Sequence, residues 1–180
     1  MEGTRNYGIT YCATSTRHVG PNNSNLFYGF SDAAFANAED NRSVSGYVYL
    51  SNGGAISWGS KKQTSIALSS TEAEYVALSE ASREAMWLRN LFGELDYIQK
   101  EPILLLGDND ESIAMAKNPE FHKRTKHVDI RWHWVRELVN DGLINIVDCC
   151  NPKQTADILT KQLPQPKFIC HVNELGLSFV

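Results

Sequence analysis

The sequence predicts one α/β domain organised on a sheet, and three observations carry that expectation. Two strand-like runs, Val44 to Leu50 and Ala55 to Trp58, flank Ser51-Asn52-Gly53-Gly54, the composition of a hairpin connection. A long segment from Ser69 to Leu95 repeats apolar residues at helical spacing. Ile103 to Leu106 is a short continuous apolar run, of the kind buried on both faces in parallel sheets.

The remaining elements follow in chain order. Residues 1–25 are polar and weakly patterned, with Gly20-Pro21-Asn22-Asn23 as a break, and read as a connector from a preceding domain. The domain itself is expected over residues 26–180. Leu26 to Ser31 reads as a first strand ending at Asp32, and Asp40-Asn41-Arg42 as a turn. The long helix opens with S-x-x-E from Ser69 to Glu72, a capping box that satisfies first-turn amides. After Asp108, a helix over Glu111 to Lys117 stops at Asn118-Pro119. A further helix over Val128 to Val139 carries Val128, Trp132, Val135 and Val139 at helical spacing. Leu143 to Val147 is a fifth strand, and Pro152 precedes a last helix containing Ala156, Ile158 and Leu159. No internal repeat divides this order, so a single core is the economical reading.

Composition narrows the class. The chain has 180 residues, enough to bury one sizeable core, with 42% hydrophobic and 21% charged residues, as in ordinary globular proteins. No apolar run approaches the roughly 20 residues that span a bilayer, and the N-terminus lacks a signal-peptide core. Cys12, Cys149, Cys150 and Cys170 do not form a disulfide framework, so free thiols and an intracellular protein are expected. The net charge of −4 excludes a chain that is basic throughout. Basic residues are nonetheless clustered at Lys61 and Lys62 and at Lys123, Arg124 and Lys126. Each cluster is a solvated surface or, beside an acidic site, a contact for phosphates.

Four carboxylates stand where an α/β fold would gather them: Asp32, Glu74, Asp108 and Asp157. Asp32 and Asp108 follow strands, and ligands of open α/β sheets bind beyond strand carboxyl ends. If those strands are adjacent and parallel, the two aspartates meet. Glu74 shares a helix face with Ala77, Leu78, Ala81, Ala85, Leu88, Phe92 and Leu95. A carboxylate on that core face is costly unless something pairs with it. Glu72 projects the other way and is explained by capping. Asp157, in the first turn of a helix, suits the helix dipole whatever else it does. Gathered acids repel, so the cluster points to divalent cations and to phosphodiester chemistry.

At these residues the chain resembles the ribonuclease H domain of copia-type (pseudoviral) LTR-retrotransposon Pol polyproteins. The matching strings are YGFSDAAFA, RSVSGYVYL, GGAISWGSKKQTSIALSSTEAEYVAL, GDNDESIAMAKNP, FHKRTKHVDIRWHWVRE and TADILTKQLP. EGTRNYGITY is similar to the segment that joins reverse transcriptase to ribonuclease H, and LGL to the usual polyprotein end. The resemblance implies a ribonuclease H-like fold with a five-stranded mixed sheet, three strands antiparallel and two parallel, flanked by helices. It implies two Mg²⁺ ions, with Mn²⁺ as a substitute, held by Asp32, Glu74, Asp108 and Asp157. The implied reaction is hydrolysis of the RNA strand of an RNA–DNA hybrid during reverse transcription, beside the polyprotein's reverse transcriptase and in a cytoplasmic virus-like particle or the nucleus. Ser70 and Thr71 then become candidate contacts to 2′-hydroxyls, and Lys61, Lys62, Lys123, Arg124 and Lys126 candidates for phosphates.

Two departures stand out. Asp110 and Glu111 follow Asp108-Asn109 where the family commonly has uncharged residues. The loop before Asp157 lacks the histidine many relatives carry, so its role is absent or falls to another group. One rival reading is a binding module that keeps the fold without cutting. An integrase of similar fold places its glutamate last, whereas here Glu74 is second. A zinc site from His122, His127, His133, Cys149 and Cys150 lacks ligand spacing.

Overall fold

The computed structural model describes residues 6–12, 25–117, 129–149 and 153–180. Among the described residues the strands are β1 Tyr7–Ile9, β2 Tyr28–Ala34, β3 Val44–Ser51, β4 Gly54–Lys62, β5 Ile103–Gly107, β6 Ile144–Asp148 and β7 Leu177–Phe179. The helices among them are α1 Ser70–Glu94, α2 Asp110–Lys117, α3 Asp129–Asn140, α4 Asp157–Thr160 and α5 Gln165–Glu174. The main sheet has five strands in the order β4-β3-β2-β5-β6. β2, β3 and β4 pair antiparallel, while β5 pairs parallel to both β2 and β6. This is the mixed sheet the sequence leads one to expect, with β2 and β5 adjacent and parallel.

Alternation along the strands divides the core in two. Ile103 and Leu105 of β5 join Tyr49, Tyr75, Leu78, Ala81, Ile113, Val135 and Ile146 under α1, α2 and α3. Leu104 and Leu106 join Phe30, Val48, Leu50, Ala156 and Leu175 on the other face. The hairpin between β3 and β4 turns through Asn52 and Gly53, at φ 51° and 79°. Positive φ at both central residues suits a tight hairpin whose twist matches its strands.

Two close approaches bring helices onto the carboxyl end of β2. Ala33, Ala67, Ala73 and Ala77 form a small buried cluster, so the first turns of α1 lie near β2. On the opposite face, Gly46 pairs with Asp32 across the β2–β3 ladder. A Cβ at Gly46 would lie 2.6 Å from Thr160 Cγ2 and 3.0 Å from Leu159 Cβ. The bare glycine is what lets α4 settle beside Asp32.

Several boundaries differ from the sequence reading. β2 runs through Asp32 to Ala34, because its ladder with β3 continues to the Ala34–Val44 pair. Tyr7–Ile9, within the stretch read as connector, forms β1 on β7, and Thr10 N–H donates to Gly176 O at 2.8 Å. The last helix expected after Pro152 is the single turn α4, followed by α5, which opens with a proline in its first turn.

Candidate metal centre

The parallel β2–β5 register pairs Phe30 with Leu106. Two residues further along each strand direction come Asp32 and Asp108, which the sheet thus sets side by side. Glu74 arrives from the first turns of α1, on the face that buries Ala77, Leu78, Ala81, Ala85 and Leu88. One carboxylate oxygen from each of Asp32, Glu74 and Asp108 lies within 4.8 Å of the others. Among the described residues, this is the one group of histidine, cysteine or acidic side chains arranged to hold a metal ion. Three anionic oxygens converging at that spacing suit a hard divalent cation.

Burial makes the group electrostatically costly. Asp32 is 1% exposed and Glu74 8%, while Asp108 is half-buried. Burial, reinforced by the charges of Asp32 and Asp108, pushes the Glu74 carboxyl up to about 9, against the pull of the Ala33 N–H and Lys161. Burial likewise raises Asp32 to about 6, opposed by the Thr160 hydroxyl and Lys161 and helped by Asp157 and Asp108. Asp108 is raised by burial, with Lys161 opposing. Acids that resist ionisation together are ready to accept a cation.

The fourth acid sits differently. Asp157 begins α4 and is 1% exposed. The loop before it is pinned to β2 by Gln154 Nε2, which donates to Ser31 O at 2.9 Å. Lys161 Nζ lies 2.7 Å from Asp157 Oδ1 and 3.7 Å from Asp32 Oδ2. Lys167 Nζ, from α5, pairs with Asp157 Oδ2. The Thr160 hydroxyl donates to Asp32 Oδ2. Asp157 therefore borders the Asp32 side of the cluster with both oxygens engaged by ammonium groups.

The helix acids separate as the wheel expects. Ser69 Oγ accepts from Glu72 N–H at 3.1 Å, and Glu72 Oε2 accepts from Leu68 N–H at 2.8 Å. Glu72 is a capping residue that reaches one amide further back than a standard box. The extra acids have structural work too. Asp110 and Glu111 lie in the first turn of α2, and Glu111 Oε2 accepts from Thr71 Oγ1 at 2.7 Å. That bond engages Thr71, while Ser70 stays exposed one turn before Glu74. Lys61 and Lys62 end β4 on the surface, with Lys62 Nζ 3.4 Å from Asp40. Lys123, Arg124 and Lys126, like His122, His127 and Cys150 of the zinc reading, lie outside the described residues.

Lys161, Lys167 and Thr160 were not singled out from the sequence. Lys161 had a signal, since it stands four residues after Asp157 on a helical stretch. Lys167 had none, because it reaches the site from a separate helix. His171, 1% exposed on α5, also lies within reach of the Asp157 charge.

A five-stranded mixed sheet with acids at the carboxyl ends of its two central parallel strands defines a ribonuclease H-like domain. No protein-family model matches the chain. It is 44% identical over 144 residues to the retrovirus-related Pol polyprotein from transposon TNT 1-94 of Nicotiana tabacum, covering 79% of this chain and 11% of that one. It is 33% identical over 181 residues to the Pol polyprotein from transposon RE1 of Arabidopsis thaliana, covering 100% of this chain and 12% of the polyprotein. Among solved structures, a ribonuclease H1 called LC11, in complex with an RNA/DNA hybrid, superposes with a TM-score of 0.51 at 14% identity. That match covers 74% of this chain and 93% of the other. The chain is a ribonuclease H-like domain related to the Pol polyproteins of plant copia-type LTR retrotransposons. It spans about an eighth or less of the length of those relatives.

Proposed function

We propose that this domain hydrolyses the RNA strand of RNA–DNA hybrids, leaving 5′-phosphate and 3′-hydroxyl ends. The observation that carries the reading is the buried convergence of Asp32, Glu74 and Asp108 at the strand ends of this fold. Two Mg²⁺ ions, or Mn²⁺ in their place, would supply Lewis acidity and a water ionisable near neutral pH. Asp32, Glu74, Asp108 and Asp157 are the residues to hold them, with Asp32 central because it converges with Glu74 and Asp108 and shares Lys161 with Asp157.

The protein's own part is to place and neutralise. Buried acids would hold the cations against a rigid sheet, so that little reorganises when substrate arrives. Ser70, exposed one turn before Glu74, is the better placed of the two candidate donors to a 2′-hydroxyl, since Thr71 is held by Glu111. Lys61 and Lys62, with Lys123, Arg124 and Lys126, are assigned to phosphates. The solved relative's hybrid complex supports the substrate class, and the matched Pol polyproteins support a reverse transcriptase as neighbour. The domain is assigned to residues 26–180, after a connector, and its setting to an intracellular particle or the nucleus.

A gel assay with labelled RNA in hybrid, RNA duplex and DNA duplex tests the reading. Cleavage is expected for RNA in the hybrid, with Mg²⁺ or Mn²⁺, and none in chelator. Comparable cutting of duplex DNA, or full activity in chelator, would sink it. Hybrid binding without cutting would make the domain a binding module instead.

A further inference from the structure

Asp32 and Asp157 are both 1% exposed and face each other across Lys161, whose Nζ is 2.7 Å from Asp157 Oδ1 and 3.7 Å from Asp32 Oδ2. Lys167 is placed otherwise: it pairs with the opposite oxygen of Asp157, and no contact to Asp32 accompanies it among the described residues. We propose that Lys161 is the resident cation of the metal-free site, filling the gap between Asp157 and Asp32, and that metal loads there by displacing it.

The inference deepens the proposed function and rests on it. A Mg²⁺ ion requires carboxylate oxygens at about 2.1 Å in near-octahedral array. An ammonium already lodged between the same two carboxylates occupies the position from which both can be reached. The geometry around Asp157 Oδ1 favours exchange, because the 2.7 Å contact is an ion pair out of line for a regular hydrogen bond. The lysine side chain is 39% exposed, so its flexible stem has solvent to swing into. Asp157, by contrast, stays oriented by Lys167 after Lys161 leaves. Lys161 thus has two effects of opposite sign. It steadies the acids when no metal is present, and it competes with the metal for them.

Both effects can be read without turnover. Mn²⁺ titration by calorimetry and thermal melting, each with and without chelator, would be run on wild type, Lys161→Met and Lys167→Met. Lys161→Met should melt lower than wild type in chelator, yet bind Mn²⁺ about ten-fold more tightly, the order expected when one like charge beside the ion is removed. Lys167→Met should show no comparable tightening. Wild-type or weaker Mn²⁺ affinity in folded Lys161→Met overturns the proposal.

Should Lys161→Met fail to fold, reductive methylation of wild-type lysines decides. Lys161 should label faster with Mn²⁺ than in chelator, and equal or slower labelling overturns the displacement. The two levels of inference separate cleanly. Wild type that binds no Mn²⁺, or binds it equally well as Asp32→Asn, overturns the functional reading itself. Binding that needs Asp32 but ignores Lys161 overturns the displacement alone.

Discussion

Replacing Glu74 by glutamine should stabilise the metal-free protein, although it removes a residue assigned to the active site. The carboxyl ionises near 4.5 in an unfolded chain and is pushed up to about 9 in the fold. Between those values the native state keeps a proton that the unfolded state has lost. Stability from this group is therefore complete below about pH 4.5 and declines as pH rises toward 9. At pH 7 the penalty is about 3 kcal/mol, from about 1.4 kcal/mol for each pH unit above the unfolded value. Glutamine never ionises and can still accept the Ala33 N–H, so it escapes the penalty. For a domain this size the gain corresponds to a melting increase of about 6–12 °C. Differential scanning calorimetry in chelator reads it directly. At pH 5 the gain should shrink below about 1 kcal/mol, because that pH lies only about half a unit above the unfolded value. In saturating Mg²⁺ the order should reverse, since the wild type alone keeps the full ligand set. A Glu74→Gln protein no more stable than wild type at pH 7 in chelator, or equally stabilised at pH 5, would refute the reasoning.

Other outcomes test neighbouring parts of the site. Glu72→Gln should leave melting and cleavage near wild type, because Gln can accept from Leu68 N–H, whereas Glu72→Ala should cost at most about 1 kcal/mol with turnover preserved. Gly46→Ala should cost about 1–3 kcal/mol by calorimetry as its Cβ drives Thr160 and Leu159 away, and should weaken Mn²⁺ binding with them. Asp32→Asn and Asp108→Asn should each abolish cleavage in the gel assay while hybrid retention on a filter largely survives. Normal cleavage by both would show that the site is misplaced.

How far the site could be read in advance depended on which periodicity carried each residue. Glu74 was separable from Glu72 because a helix of 25 residues fixes its buried face many times over. Asp32 and Asp108 were legible as a pair because a continuous apolar run such as β5 has to lie centrally, beside another buried strand. β2 continues past Asp32, since Asp32 breaks an apolar pattern that the ladder to β3 carries on regardless. β1 and β7 have three residues each, too few for alternation to register, and they exist through pairing across nearly the whole chain. The same non-locality hid Lys167: its role depends on where α5 lies against α4, which no local pattern encodes. Lys161 was within reach, because a lysine four residues after an aspartate on a helical stretch is an ion-pair signal.

Three of the acids at this site are relieved by different sets of groups, and that difference matters more than their number. Glu74 is relieved by a proton, since its carboxyl ionises only near 9. Asp157 is relieved by two lysines and Asp32 by a threonine hydroxyl and the edge of one ammonium. Burial lowers the affinity of Lys161 for its proton, but the close pairing with Asp157 and the charges of Asp32, Asp157 and Asp108 outweigh it and leave that affinity raised. The lysine thus stays charged where a neutral amine would be useless. A proton and a mobile ammonium are both exchangeable for a stronger cation, whereas the Thr160 hydroxyl and Lys167 only orient what remains. Three buried carboxylates and a half-buried fourth would otherwise oppose folding before any metal arrived. Exchangeable relief lets the sheet form first and leaves the acids, already in place, to receive their ions afterward.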